Sequence, residues 1–349
     1  MNAEPFRIEP AFVPRIWGAR SLAPLYPEKT NLTEPIGEVW LTGVDCKVAT
    51  GPFAGETLGK AWREMPPEWR GTRFAEPGDF PILIKFIFPN DKLSIQVHPD
   101  DAYADAHEKA AGGRGKTEMW NVVSAKPGAS LLLGLKPGAT KDSFAKALEN
   151  QTLEDLFQRY TVQTGDTYFV PARTPHTIGP DMVICEVQEY SDITYRVYDY
   201  GRVDAHGKPR ELHVAKALEV VDFGDSQGGK SRPLTIPAGR ASRTLLAACA
   251  YFATERWEFL ATAPSDSTEG FFELLIVLAG KGYIHWHGSP RMYDQGQCWF
   301  LPASLGQYSM QPEQKSAVIR SYVPDLADLG AKLVRSGVSR EELARTIFA

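Results

Sequence analysis

Short runs of alternating or uniformly apolar residues, broken by Gly and Pro, recur along most of the chain. IGEVWLTGVD, from Ile36, alternates as a half-buried strand does. PILIKFIF is apolar at every position except Lys85, the pattern of a strand buried on both faces. Its ammonium therefore needs an anion, an opening into a cleft, or an edge from which to snorkel. In KLSIQVH, strand alternation puts Ser94, Gln96 and His98 on one face and Leu93, Ile95 and Val97 on the other. KTEMWNVV and ASLLLGLK read as further strands, and the stretch from Val162 to Asp204 as strand, turn, strand, rich in Val, Ile and Tyr. Helical spacing appears in KDSFAKALENQTLEDLFQRY, through Phe144, Leu148, Leu153, Leu156 and Phe157, with Thr140 or Asp142 as N-cap. ELHVAKALEVVD (211–222) predicts a second helix, and GKAWREMPPEWRG a short one stopped at Pro66-Pro67. GDSQGGKSRPL is the best linker candidate. Residues 240–323 return to short strands with the turn spacing of a small antiparallel barrel or sandwich. The tail after Val323 predicts two short helices, with Ser339 and Glu342 at capping-box spacing, and reads as an appendage covering a sheet edge.

One segment occurs twice. GDTYFVPARTPH begins at Gly165 and GQCWFLPASLGQ at Gly296, a turn glycine, an aromatic strand and a proline that turns the chain. His176 ends the first copy, whereas Gln307 stands at its place in the second, so only the first offers an imidazole. Gln96 and His98, converging on one strand face, can present an oxygen and a nitrogen to one metal ion. With Glu118 in KTEMW and His176 they form the candidate site. Singly each is ordinary: His98 before Pro99 and His176 in TPHT both suit turns. His107 reads as a solvated residue, and His285 and His287 as surface or core residues, since their copy lacks a late His.

The composition adds mainly exclusions. The 349 residues carry a formal net charge of −5, which gives no reason to expect nucleic acid or an anionic membrane as partner. No apolar run approaches bilayer length, and MNAEPFRIEP lacks a signal-peptide pattern, so a cytoplasmic protein is expected. Cys46, Cys185, Cys249 and Cys298 are widely separated and read as buried free thiols of a reducing compartment.

The paired motifs, QVH with Glu118 and then GDTYFVP with His176, resemble those of the cupins. LSIQVHPDD, GKTEMW and SDITYRVYDYGRVDAHGKPRELH together are similar to the type I mannose-6-phosphate isomerases in their shorter bacterial form. The resemblance runs from VPRIWG to about residue 323. It implies a mainly β fold with two cupin-type double-stranded β-helix barrels (a bicupin), a few short helices and a helical tail. The expected division is a metal-binding domain at 1–230, a metal-free cupin-like domain at 231–323, and the tail at 324–349. It implies one zinc ion per chain on Gln96, His98, Glu118 and His176, a ligand set without thiolate that suits this metal. The implied reaction interconverts mannose 6-phosphate and fructose 6-phosphate through a cis-enediol. Ser94, Lys85, Lys116 and Arg202 would meet the sugar phosphate. Arg196, Glu186 and Asp192 are the candidates for charge stabilisation and proton handling; Arg196 alternatively forms a sheet-edge ion pair with Asp192 or Asp199. Arg202 stands where longer family members have a lysine, and an arginine does not readily lose a proton. The helical insertion of those longer members is absent. The partner is a small-molecule sugar phosphate, with a monomer favoured. The competing readings are a non-catalytic sugar-phosphate-binding cupin regulator and an isomerase of another phosphosugar; a cupin dioxygenase would more often present a His-rich iron triad.

Overall fold

The computed structural model describes residues 2–76, 78–109, 112–203, 206–224, 228–238, 241–263, 266–268 and 270–348. In the first half the strands are β1 (Phe6–Ile8), β2 (Ala11–Ala19), β3 (Ile36–Trp40), β4 (Ile82–Ile87), β5 (Ile95–Val97), β6 (Glu118–Ala125) and β7 (Ser130–Leu135). They continue with β8 (Phe157–Thr161), β9 (Thr167–Val170), β10 (His176–Ile178), β11 (Met182–Glu189), β12 (Tyr195–Tyr198) and β13 (Gly229–Lys230). The second half has β14 (Leu234–Ala238), β15 (Ala241–Ala248), β16 (Ala253–Phe259), β17 (Asp266–Ser267) and β18 (Glu273–Ala279). After these come β19 (Gly282–Trp286), β20 (Ser289–Tyr293), β21 (Cys298–Leu301), β22 (Gln307–Pro312) and β23 (Ser316–Tyr322).

Two seven-stranded sheets form the middle of the molecule, in the orders β13-β9-β6-β11-β4-β3-β2 and β1-β21-β18-β23-β16-β15-β14. Read in step, they have the same topology, and the repeated segment supplies the matching strands β9 and β21. Gly165 and Gly296, which open the two copies, both hold left-handed backbone, φ 92° and 81°, where a side chain would be strained. Strand alternation then divides the aromatic residues between two faces. Phe169 and Phe300 enter a core shared by the two large sheets, together with Phe86, Val187, Leu274 and Ile319. Tyr168 and Trp299 turn the opposite way, each into the interior of its own half. Each interior is closed by a smaller sheet, β12-β5-β10-β7-β8 in the first half and β17-β22-β19-β20 in the second. The fold is thus mainly β and of the cupin type, a pair of sandwiches packed back to back. The first strand crosses over, with β1 paired to β21 in the sheet of the second half.

The helices are α1 (Leu58–Glu64), α2 (Pro67–Arg70), α3 (Asp101–His107), α4 (Lys141–Glu149), α5 (Val214–Val220), α6 (Leu326–Arg335) and α7 (Arg340–Leu343). The helix expected over 141–160 is shorter than its apolar spacing suggests. It begins in a Thr140–Ser143 capping box and stops at Asn150. Gln151 turns left-handed, φ 59°; Leu153–Leu156 form a single 3-10 turn, and 157–161 become β8 at the edge of the smaller sheet. Phe144, Leu153 and Phe157 still share one core, which explains why the spacing mimicked a continuous helix. The linker candidate falls partly outside the described residues; within it, Gly229–Lys230 pairs with β9. In the tail, the Ser339–Glu342 capping box forms. Ile347 bridges Ala248 in parallel and Phe348 stacks on Phe169 at 3.9 Å, so the appendage does cover sheet and core. All four cysteines are buried and free. No helix among the described residues is long and apolar enough to cross a membrane.

Candidate metal centre

Three neighbouring strands of the smaller sheet carry Arg196, Gln96 and His176 in direct register, Arg196 opposite Gln96 and Gln96 opposite His176. Facing them, the large sheet carries a second row, Trp120, Glu186, Lys85 and Trp40, on four successive strands. Glu118, two residues before Trp120, shares its face of the strand. The site lies between these rows.

His98 follows β5 directly, and its backbone carbonyl accepts from the Arg173 amide at 2.7 Å. Asp100 then caps α3, accepting from the Tyr103 amide. Gly115 lets the returning chain pass this helix start, since a Cβ there would lie 2.7 Å from the Asp101 nitrogen. The return delivers Lys116 and Glu118 to the site.

His98 Nε2 is 3.3 Å from Glu118 Oε1, and His176 Nε2 is 3.9 Å from Glu118 Oε2. The ligand atoms of these three residues all lie within 4.8 Å of one another, and all three are buried. Gln96 Nε2 is 3.3 Å from His176 Nε2; a half-turn of the amide exchanges that nitrogen for the oxygen a metal requires. Each imidazole is oriented from behind. The Nδ1–H of His98 donates to the Ile193 carbonyl at 2.7 Å, and that of His176 to the Thr174 carbonyl at 2.9 Å. Both Nε2 lone pairs therefore face inward, the arrangement by which outer partners aim metal ligands. Burial lowers the basicity of both rings, that of His176 to about 3, so they are neutral donors at physiological pH. Burial opposes the charge of Glu118, yet the Lys116 ammonium beside it holds it well below the usual carboxylate range. Two neutral imidazoles, a carboxylate and an amide fit zinc.

Lys116 donates to Glu118 and lies 3.2 Å from His98 Nε2. Ser94 Oγ is 3.5 Å from Gln96 Oε1. Gln96, Lys116 and Ser94 reach the wall of a cavity of about 390 Å³ that Lys85, Glu186, Asp192 and Arg196 also line. Lys85 is 2 % exposed and lies on an inner strand, not at an edge; its ammonium lies 3.7 Å from Glu186 and 3.5 Å from Asp192, over the ring of Trp40. Burial disfavours its charge, but Glu38, Glu186 and Asp192 raise its basicity and keep it an ammonium. Glu186 is raised out of the ordinary carboxylate range by burial and by the charge of Glu118. The Trp120 indole N–H joins the two carboxylates, 3.0 Å from each.

One alternative falls away and one expectation is corrected. Arg196 makes no sheet-edge ion pair with Asp192 or Asp199; it donates to the Glu211 carbonyl at 2.9 Å, and its buried Nε has no partner among the described residues. Arg202 does not line the cavity. Tyr200 and Gly201 both take left-handed backbone, φ 58° and 69°, and the turn brings Arg202 back onto Asp199 (2.6 Å) and Asp91 (3.3 Å). Arg210, also bonded to Asp199, lines the cavity instead, with Arg15, Glu38 and His213. None of these four stood out in the sequence. Glu38 had the best signal, a charge inside the alternating strand IGEVW.

Residues 6–120 match the family model for the phosphomannose isomerase type I catalytic domain. The mannose-6-phosphate isomerase ManA of Bacillus subtilis is 32% identical over 318 residues, 89% of this chain and 97% of that protein. The mannose-6-phosphate isomerase of Streptococcus mutans is 32% identical over 287 residues, 81% of this chain and 87% of that protein. The crystal structure of the mannose 6-phosphate isomerase from Bacillus subtilis superposes with a TM-score of 0.83 at 29% identity, covering 91% of this chain and 99% of that one. Similarity sustained over nearly the full length of these proteins, on the same fold, places the chain in the type I phosphomannose isomerase family.

Proposed function

We propose that the chain is a zinc-dependent mannose-6-phosphate isomerase, interconverting mannose 6-phosphate and fructose 6-phosphate through a cis-enediol. The observation that carries this reading is the meeting of two groups in one place. The His98–Glu118–His176 cluster, with Gln96 beside His176, adjoins a buried Lys85–Glu186 pair at a cavity of sugar size, in a chain of this family.

Zinc held by the four ligands would act as a Lewis acid toward the oxygens on C1 and C2 of the open-chain sugar. In the forward direction Glu186 takes the proton from C2. The C1 carbonyl becomes the enediol hydroxyl as its oxygen gains a proton. Glu186 returns the first proton to C1, and the O2 hydroxyl gives up a proton in place of the one O1 gained, which leaves the ketose with no net change in protons. A carboxyl raised toward neutral pH suits both halves of this exchange. Lys85 holds Glu186 in place, and Asp192 anchors the outer side of Lys85. Arg196, with its uncommitted guanidinium N–H groups, stabilises charge as it develops on oxygen. Lys116 and Ser94 orient the sugar beside Gln96, and Arg210 with Arg15 offers the cationic wall that a phosphate requires.

The test is a coupled assay of fructose 6-phosphate formation from mannose 6-phosphate, before and after chelation and after zinc is restored. Turnover that disappears and returns with the metal is expected. Tight binding of the sugar phosphate without turnover would replace the enzyme by a sugar-phosphate-binding protein.

A further inference from the structure

The second half contains a larger cavity, about 790 Å³, whose lining includes Arg73, Arg243, Asp266, Phe271, Arg320 and Lys332. Its place follows from the duplicated sheet. Glu118 opens β6 opposite Val170, and Glu273 opens β18 opposite Leu301. Glu186 stands between Trp120 and Lys85; Arg320 stands between Leu275 and Glu255. Glu38 lies opposite Ile87, and Arg243 opposite Trp257. Equal register means equal facing. Where the first half sets Glu38, Lys85 and Glu186, the second sets Arg243, Glu255 and Arg320. The charge is inverted at all three positions.

This inverted set neutralises itself. Arg243 grips Glu255 through Nε (2.5 Å) and Nη2 (3.0 Å) and reaches Asp266 through Nη1 (3.0 Å). Arg320, 2 % exposed, meets Glu255 at 3.3 Å, Asp266 at 3.5 Å and also Glu273. Three carboxylates therefore surround two guanidiniums. At the rim Arg73 and Lys332 are matched by Asp325 and Asp328, with Lys332 3.1 Å from Asp328. Among the described residues no surplus of positive charge is left for a phosphate, whose burial beside these carboxylates would be costly.

What the wall still offers is a mixture of donors and acceptors. Arg243 has N–H groups beyond the three it uses, and Asp266 has oxygen lone pairs beyond its ion pairs. Beside them the ring of Phe271, stacked on Tyr322 at 4.6 Å, is partly exposed. Adjacent hydroxyl groups, each giving one hydrogen bond and accepting another, match such a wall, and the C–H face of a sugar packs on an aromatic ring. The outer side is built by α6 through Leu326, Asp328, Leu329 and Lys332, which gives the tail a role besides covering a sheet edge.

We propose that this cavity is a second ligand site, for an uncharged polyhydroxylated molecule such as a free hexose or an alditol, completed by α6. It is independent of the reaction assigned to the first half. The test is calorimetric titration of the full chain with D-mannose, D-glucose and D-mannitol, and separately with inorganic phosphate. Saturable binding of at least one of the three neutral compounds is expected, persisting in His98→Ala. Asp266→Asn should weaken it roughly tenfold or more. Leu329→Trp, which fills the cavity and leaves every ion pair intact, should do the same, and neither should change kcat/KM of the isomerase. Absence of saturable binding at tens of millimolar, binding that survives both cavity variants, or phosphate binding abolished by Asp266→Asn would each overturn the proposal.

Discussion

Replacing Lys85 by Met keeps the volume of the side chain and removes only the charge from the buried row at the cavity of the first half. Lys85 lies 3.7 Å from Glu186. At an effective dielectric of ~20, unit charges at that separation interact by about 4 kcal/mol. Asp192, at 3.5 Å, adds little because its side chain is 59 % exposed. Loss of one partner from a buried pair typically costs about 3–5 kcal/mol, since the other charge is left behind. Glu186 escapes part of that penalty by taking up a proton, so a destabilisation of about 3 kcal/mol is expected in urea unfolding followed by tryptophan fluorescence. The same loss of a cation raises the Glu186 pKa further, so the acid limb of kcat/KM should move to higher pH by roughly 1–2 units. Adding Glu186→Gln to Lys85→Met removes the stranded charge and should restore most of the stability while abolishing turnover. Metal content should be unchanged in both. A Lys85→Met protein as stable as the parent, or a double variant no more stable than Lys85→Met alone, would refute the electrostatic account of the row.

Three further outcomes are expected. His98→Ala and His176→Ala should each lose bound metal and activity together, measured by elemental analysis and the coupled assay, while circular dichroism stays that of the parent. Arg196→Ala should lower kcat by roughly a hundredfold, the scale of one lost oxyanion donor, and retain its metal; loss of metal or of folding would show a structural arginine. In the second half, burial pushes Glu255 up, but Arg320 and Arg243 hold it at about 2, against an ordinary value of 4.5. A carboxyl depressed by folding stabilises the native state above its unfolded pKa. At ~1.4 kcal/mol per pH unit, about 3 kcal/mol should therefore be lost as pH falls from 4.5 to about 2. Glu273, raised by burial, trims this, and Glu255→Gln should flatten the acid limb of the unfolding curve.

Much of the first half was legible because strand alternation is a local rule. Ser94, Gln96 and His98 share a face for the same reason that Phe169 and Phe300 differ from Tyr168 and Trp299: successive side chains point apart. The duplicated turn glycines and the capping box at Ser339 were equally local, and all formed. The candidate ligands were legible as residue types in recurring motifs, without any measure of their separation.

What the local pattern left open was pairing between distant strands. Only the register of β4, β6 and β11 placed Lys85 against Glu186 rather than at an edge; only the turn at Tyr200 and Gly201 withdrew Arg202, and only the pairing of Val203 with Pro209 returned the chain so that Arg210 meets Asp199 at the cavity. The break in the 141–160 helix was likewise decided by tertiary packing, because Phe144, Leu153 and Phe157 meet in one core whether or not the backbone between them stays helical. Alternation and turn chemistry act over a few residues and can be read along the chain. Which charge faces which depends on strands more than 100 residues apart in sequence, such as those carrying Lys85 and Glu186, and that was settled when the sheets closed.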